Sequence, residues 1–166
     1  MKNILTPLEA YFFGWMISDG CIFVNKKSYS ILTSLKIHSK DEHVLDLFKN
    51  LTNFKFSKEN NCSKIRTYNR EFGKNLIKLG CLPGKSKEGI EMNIHFPIID
   101  KILIPYFIRG LFDGDGSYFL RKGKYLESSL FGRNHNLFVE LKSLLDNELN
   151  INCDLHFKKN AHRGIW

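Results

Sequence analysis

The chain has 166 residues, 43% hydrophobic and 25% charged, which is enough apolar sequence to bury a core. Its 25 lysines and arginines outnumber 17 aspartates and glutamates, and the net charge of +8 favours a polyanionic partner, above all nucleic acid. The four cysteines form no CxxC pair, which argues against structural zinc. No apolar run reaches the ~20 residues of a membrane span. We therefore expect a soluble intracellular protein, in a bacterial or phage cytoplasm or in an organelle.

The first predicted helix begins at Thr6-Pro7-Leu8-Glu9, a capping-box pattern with proline at the first helical position. The helix is apolar nearly all round and stops at Ser18-Asp19-Gly20, so it must be buried on several sides. Strands are predicted next at 21–26 and 29–38. The second strand alternates apolar and polar residues, which places one face on the core and the other in water.

A second capping-box pattern, Ser39-Lys40-Asp41-Glu42, predicts a helix with one apolar side. Strand-like runs at 54–58 and 62–68 follow, and a helix over 70–79 ends at Gly80, a suitable C-terminal cap. This part of the chain therefore has the order helix, strand, strand, helix, strand, strand, helix.

The same order begins again at Pro105, which indicates an internal repeat. We expect an α+β fold of two pseudo-symmetric repeats, 1–100 with the linker and 101–166, the second stopping before a counterpart of the third helix. Part of its apolar sheet face, including Phe157, Ile165 and Trp166, should then lack a cover. This predicts either self-association through that face or a longer protein cut short, whereas a complete chain would be a monomer. The second repeat is predicted to contain a helix over 105–116, strands at 117–122 and 125–131, a helix over 134–149 and a strand over 151–158.

The first helices of the two repeats align residue by residue, with Asp115 lying 96 residues after Asp19. Each has a mid-helix glycine, Gly14 or Gly110, which would destabilise the helix unless another backbone approaches there. We therefore expect the helices to cross at these glycines and to bring the two aspartates together. Carboxylates at the negative ends of two helix dipoles require a cation, and a hard divalent ion such as Mg²⁺ suits them.

A calcium-binding loop is an alternative interpretation of Asp113-Gly114-Asp115, but the pattern does not continue. Tyr118 stands where such a loop requires glycine, and Lys124 stands where it requires glutamate. Each Asp-Gly pair could also be only a turn that ends a helix. Its recurrence at equivalent places in both repeats favours the metal site.

Both helices resemble the LAGLIDADG motif, and the second, 108–116, is the closer copy, since Ile17 replaces the first acidic residue in the other. The segment 79–86, leading into 107–116, is similar to the joint between repeats in two-motif members of the LAGLIDADG homing endonucleases. The resemblance implies a site-specific, intron-encoded endonuclease that cleaves both strands of DNA. Such an enzyme hydrolyses phosphodiester bonds with Mg²⁺, for which Mn²⁺ can substitute, and leaves short 3′ overhangs.

The same resemblance implies the site residues. Asp19 and Asp115 would bind metal, with the carbonyl groups of Ser18 and Gly114 as further ligands. Lys85 would be the basic catalytic residue of the first repeat, with Lys87 as a close competitor. The second repeat ends before the matching position.

The polar strand faces predict a basic DNA-binding surface along a curved sheet, since strand ribbons fit the major groove and Lys and Arg contact phosphates or guanine. Double-stranded DNA is therefore the expected partner, and a membrane is not. The residues predicted to form this surface are Lys26, Lys27, Lys36, His38, Lys64, Arg66, Tyr68, Arg121, Lys122, Lys124, Lys158 and Lys159.

Two other functions fit the same fold. One is a nucleic-acid-binding protein without cleavage, either an intron maturase or a transcription regulator, although both aspartates are retained. The other is an endonuclease region inside an intein, for which the splicing-block residues are missing at the two termini.

Overall fold

The computed structural model of the protein describes residues 6–84 and 93–156. Within these residues, no helix is both long and apolar enough to cross a membrane. The predicted order of elements is confirmed from the first helix through the helix after Asn134. The helices are α1 (Pro7–Ser18), α2 (Glu42–Phe48), α3 (Arg70–Lys78), α4 (Ile104–Asp115) and α5 (His135–Glu148). The strands are β1 (Gly20–Val24), β2 (Ile31–His38), β3 (Lys55–Glu59), β4 (Cys62–Thr67), β5 (Gly116–Arg121) and β6 (Tyr125–Leu130).

Helix α1 forms the centre of the core, as its uniformly apolar sequence predicts. Its start is the expected capping box, in which the Glu9 N–H donates to the Thr6 hydroxyl and the Glu9 carboxylate accepts from the Thr6 N–H. Every residue from 10 to 17 is buried. The aromatic ring of Phe12 meets Phe48 of α2 and Phe72 of α3, with ring centroids 4.9 Å and 5.7 Å away.

The first repeat contains a four-stranded antiparallel sheet in the order β1-β2-β4-β3. One face carries buried side chains, among them Ile22, Leu35 and Ile65, and packs toward the helices. Leu35 pairs with Gly20 on one side and with Ile65 on the other, which fixes the register. Because side chains alternate along a strand, every second residue lies on the opposite face.

The start of α2 differs from the prediction. Residues Ser39–Asp41 form a short 3-10 helix, and Asp41, which precedes α2, makes no side-chain capping bond. Glu42 does not fold back on the helix start. Its carboxylate instead accepts a hydrogen bond from the Ser63 hydroxyl at 2.7 Å and pairs with Lys58 at 3.0 Å, so a tertiary contact replaces the local cap.

The two repeats meet where α1 and α4 cross, and the predicted crossing at Gly14 and Gly110 is confirmed. A Cβ atom added to Gly14 would lie 2.2 Å from the carbonyl oxygen of Phe107, and one added to Gly110 would lie 2.1 Å from that of Tyr11. Both separations are shorter than atoms tolerate. Phe107 lies 96 residues after Tyr11, as Gly110 does after Gly14, so a pseudo-twofold axis relates the two contacts.

The second repeat has a smaller sheet, formed by β5 and β6 alone among the described residues. The turn between these strands is where it was predicted, with Lys122 and Gly123 at positive φ angles. The strand expected over 151–158 is not present in its described part, 151–156, where Lys142 of α5 contacts the backbone carbonyl of Cys153 instead. Residues 157 and 158 lie outside the described part of the chain.

The face of this small sheet that corresponds to the core face of the first repeat is uncovered. Tyr118 is 68% exposed where its equivalent, Ile22, is 2% exposed, and Leu126 is 72% exposed where Ile31 is 5% exposed. In the first repeat α3 covers Ile31, since a Cβ atom added to Gly73 would lie 2.5 Å from the Ile31 side chain. The second repeat therefore exposes apolar side chains within its described residues, while Phe157, Ile165 and Trp166 of the predicted patch lie outside them.

The glycine crossing can be tested by Gly14→Ala. Alanine favours a helix over glycine by about 1 kcal/mol, but here its methyl group must push α4 away. We expect the overpacking to dominate and to lower the free energy of unfolding by about 1–3 kcal/mol in urea titrations. Asn75→Ala, at an exposed position of α3, is the control and should change stability little. A Gly14→Ala protein as stable as the original would contradict the close crossing.

The uncovered face predicts uneven protection of the two hairpins. Amides of β5 and β6 should exchange with solvent through lower-energy openings than those of β1 and β2, because few buried contacts hold the second hairpin. Native-state hydrogen exchange measured strand by strand tests this. Equal protection of both hairpins would show that the exposed face does not weaken the second repeat.

Candidate functional site

The C-terminal ends of α1 and α4 lie side by side. A Cβ atom on Gly114 would lie 2.0 Å from the hydroxyl oxygen of Ser18 and 3.5 Å from a carboxylate oxygen of Asp19. Ser18 and Gly114 are equivalent positions of the two repeats, so they face each other across the pseudo-twofold axis. Asp115 follows Gly114 directly, so its backbone begins beside the Asp19 carboxylate.

Each aspartate lies at the joint between its helix and the strand that follows. The Asp19 N–H donates to the Trp15 carbonyl at 3.0 Å, which completes the last turn of α1. The Asp115 carbonyl accepts from the Phe131 N–H at 3.3 Å, which ties the end of α4 to the hairpin of the second repeat. Both helices point their negative dipole ends toward these carboxylates, so the site attracts cations.

A cleft of about 350 Å³ opens beside Asp115. Its polar lining includes Ser18, Arg133 and Asn134, and its floor is formed by apolar side chains of α4 and α5. Arg133 was not among the predicted site residues. Its sequence signal is its position directly before Asn134, the N-terminal cap of α5, and a solvated arginine can occupy the same position.

A polar cluster joins the two motif helices on one side of the crossing. The Tyr11 hydroxyl donates to the Asp113 carboxylate at 2.7 Å, and the Arg109 guanidinium lies 5.4 Å from the Tyr11 ring centroid and 3.6 Å from that carboxylate. Burial raises the pKa of Tyr11 to about 12, and the bond to Asp113 acts in the same direction. The protonated Tyr11 hydroxyl therefore contributes fully to folding stability below the ordinary tyrosine pKa of 10.0, and this contribution is lost as the pH rises toward about 12.

The pseudo-symmetric counterpart of this cluster is apolar. Phe107, Phe13 and Ile17 stand at the positions equivalent to Tyr11, Arg109 and Asp113, and all three are buried. The rings of Phe13 and Phe107 pack with centroids 5.2 Å apart. Asp113 is thus a helix-to-helix contact, and its equivalent in the first repeat is the Ile17 that departs from the motif.

The outer face is the face of the four-stranded sheet opposite the core. Its cross-strand rows are Lys36 with Lys64, and Ser34 with Arg66 and Lys55. The predicted residues Lys36, His38, Lys64 and Arg66 all lie on it, and Tyr68 follows the end of β4. Lys55, which pairs with Arg66, was missed because the sequence of strand 54–58 does not alternate clearly enough to assign its faces.

Only one of these outer-face lysines is neutralised by an ion pair among the described residues. Lys36 pairs with Glu59 at 2.9 Å, which raises the pKa of Lys36 and lowers that of Glu59 through their hydrogen bond. Lys55, Lys64 and Arg66 make no ion pair in the described part of the chain. The outer face is therefore positively charged, as predicted.

The other predicted DNA contacts lie elsewhere. Lys26 and Lys27 are in the exposed turn between β1 and β2, not on a strand face, because both strands are shorter than predicted. Lys122 and Lys124 occupy the turn of the second hairpin, and Arg121 at the end of β5 pairs with Glu127 at 3.1 Å. The remaining predicted residues, Lys85 with its competitor Lys87, Lys158 and Lys159, lie outside the described residues.

No family model and no curated protein matches this sequence. Its fold does match solved structures. The homing endonuclease I-DmoI in complex with DNA and Ca superposes with a TM-score of 0.63 at 16% identity, covering 96% of this chain and 83% of that one. The LAGLIDADG meganuclease I-AabMI bound to uncleaved DNA gives a TM-score of 0.54 at 14% identity, covering 94% and 76%. The chain has the LAGLIDADG homing endonuclease fold.

A third match is the homing endonuclease I-WcaI bound to its DNA recognition sequence, with a TM-score of 0.59 at 18% identity over 99% of this chain and 76% of that one. A variant of I-DmoI was solved with its target DNA in the presence of Mg. In this LAGLIDADG fold the two-repeat α+β architecture expected from the sequence is confirmed. The second repeat is shorter here than in the solved chains.

The polar cluster at the helix crossing can be tested by a double-mutant cycle of Tyr11→Phe and Asp113→Asn. Each change should lower the free energy of unfolding by about 1 kcal/mol at neutral pH, because Tyr11→Phe removes the donor of this part-buried hydrogen bond and Asp113→Asn removes the charge that strengthens it. The double variant should lose clearly less than the sum, as urea unfolding would show. Tyr106→Phe, on the exposed side of α4, is the matched control. Strictly additive effects would mean that the contact contributes nothing.

Proposed function

We propose that the protein is a site-specific homing endonuclease that hydrolyses both strands of a DNA target with the help of a divalent metal ion. The observation that carries the proposal is the pair of aspartates, one from each repeat, held at one end of a glycine-crossed helix pair. The basic outer face and the structural similarity to endonucleases solved on DNA support it.

Asp19 and Asp115 would hold the metal, with the carbonyl groups of Ser18 and Gly114 as further ligands. This all-oxygen set suits Mg²⁺, with Mn²⁺ as a substitute. The described residues hold no group of three or more His, Cys, Asp and Glu side chains arranged for a metal. Phosphate oxygens and water would therefore complete the shell. When bound, the ion supplies positive charge that stabilises a phosphoryl group under attack.

Hydrolysis adds a water oxygen to phosphorus and breaks one P–O bond to a sugar oxygen, which takes up a proton. Negative charge grows on the phosphoryl oxygens during this step, and a fixed cation beside them lowers the barrier. Arg133, which lines the cleft beside Asp115, is placed to donate to such an oxygen. For the first repeat, Lys85 or Lys87 stays a prediction.

The pseudo-twofold axis gives the reason for two aspartates. The strands of duplex DNA are themselves related by an approximate twofold axis, so a protein with matching symmetry can treat both alike. One repeat, within 1–100, would bind one half of the target, and the other, within 101–166, would bind the second half. Each strand would then be cut near the axis, where the helix ends meet.

Asparagine at either aspartate tests the proposal. Asp19→Asn and Asp115→Asn each remove one charged ligand while keeping size and hydrogen bonding, so we expect cleavage of a selected duplex with Mg²⁺ to fall at least a hundredfold while duplex binding is kept. The target would come from cleavage selection on a randomised duplex library.

Asp46→Asn, on the exposed side of α2, is the matched control and should cleave normally. Near-normal cleavage by either site variant would refute the assignment of that aspartate. If the unaltered chain bound duplex tightly but never cut it with Mg²⁺ or Mn²⁺, the function would be DNA binding without cleavage.

A further inference from the structure

The cross-strand rows of the outer face lie at different distances from Asp19. Asp19 directly precedes Gly20, which pairs with Leu35, so the row of Lys36 and Lys64 lies level with the aspartate along the strands. Arg66 is two residues further along β4 on the same face, and its row lies correspondingly further from the helix ends. Distance from the proposed cleavage site thus increases from Lys64 to Arg66.

A shallow groove surrounds Arg66 at this distal end of the sheet. It is lined by residues with polar side chains, namely Asn53, Lys55, Thr67, Tyr68 and Asn69. Two of these groups are already used, because the Asn69 side chain caps α3 and bonds Thr52, and Thr67 accepts from the Asn69 N–H. Arg66, Lys55 and Tyr68 remain exposed with their donor groups directed to no partner in the described chain.

The two cations of the groove differ in chemistry. Lysine carries a compact ammonium on a flexible stem and acts at phosphates as a point charge. Arginine carries a planar fork of donors that matches the O6 and N7 acceptors on the major-groove edge of guanine. Arg66 lies near the end of β4 and is paired with Ser34 on one side and Lys55 on the other, so its backbone position is fixed before any ligand binds.

We infer that Arg66 is a specificity-determining residue that reads a guanine in the outer part of the first repeat's half-site, while its row neighbour Lys55 contacts phosphate. The inference rests on the proposed function, since it requires duplex DNA on the outer face. It adds a base identity and a position to that function.

The register of β4 also sets a distance. Residues two apart on a strand are about 6.6–6.8 Å apart, and stacked base pairs rise about 3.4 Å each. A base reached from position 64 should therefore lie about two base pairs from the one read by Arg66, on the side nearer the point of cleavage.

The test is a binding selection of the full chain on randomised duplex DNA with Ca²⁺ present, followed by single-base variants of the selected target. We expect one half-site position to prefer guanine by between about fivefold and a hundredfold. Arg66→Ala should abolish that preference alone, and Arg66→Gln should shift it toward adenine, which glutamine reads. Lys64→Gln should introduce a preference for adenine at a position about two base pairs closer to the centre.

Two controls distinguish recognition of a base from general attraction between positive charge and phosphate. Arg70→Gln, an exposed arginine at the start of α3, should leave every base preference unchanged. Lys55→Ala should weaken binding to all duplexes alike and reduce the slope of log affinity against log salt by about one. Melting temperatures of all variants should match, because the altered side chains are exposed.

The outcomes distinguish this inference from the function on which it rests. If Arg66→Gln lowers affinity equally for every base, Arg66 contacts phosphate and the inference is overturned while DNA binding stands. If base preferences are unchanged, the guanine reader lies elsewhere, with the same consequence. If the unaltered chain binds no duplex DNA in the selection, the proposed function is wrong and this inference is wrong with it.

Discussion

Backbone contact between α1 and α4 at Gly14 and Gly110 determines where every other part of the site lies. The absence of a Cβ atom lets each helix place a carbonyl oxygen against the other's glycine. That contact puts the helix ends together, and the helix ends carry Asp19 and Asp115. A sheet follows each aspartate at once, so the same contact also fixes where the outer face begins relative to the carboxylates.

The elements of the chain could be predicted from sequence where the signal was local. The cap at Thr6 and the glycine that ends α3 were sufficient to place those helices, and alternation within β2 gave its two faces. The helix crossing could be predicted although it joins residues 96 apart, because a glycine inside an apolar helix destabilises that helix unless a second backbone packs against it.

Features that depend on tertiary partners could not be predicted. Glu42 had the sequence of a capping residue, yet Ser63 and Lys58 from the neighbouring hairpin hold its carboxylate. Arg133 belongs to the cleft because the folded chain brings the start of α5 to the same cleft as the end of α4, and no local pattern distinguishes it from a solvated arginine. Lys55 gained its role from the register of β3 against β4, which pairing decides and composition does not.

The polar cluster of Tyr11, Arg109 and Asp113 makes the two motif helices non-interchangeable. If two copies of α1 paired with each other, Tyr11 would face Ile17, and if two copies of α4 paired, Asp113 would face Phe107. Either arrangement leaves a polar group against an apolar side chain without its partner. Each motif helix is therefore completed only by the other, so the first and second halves of the chain cannot exchange places in the helix pair.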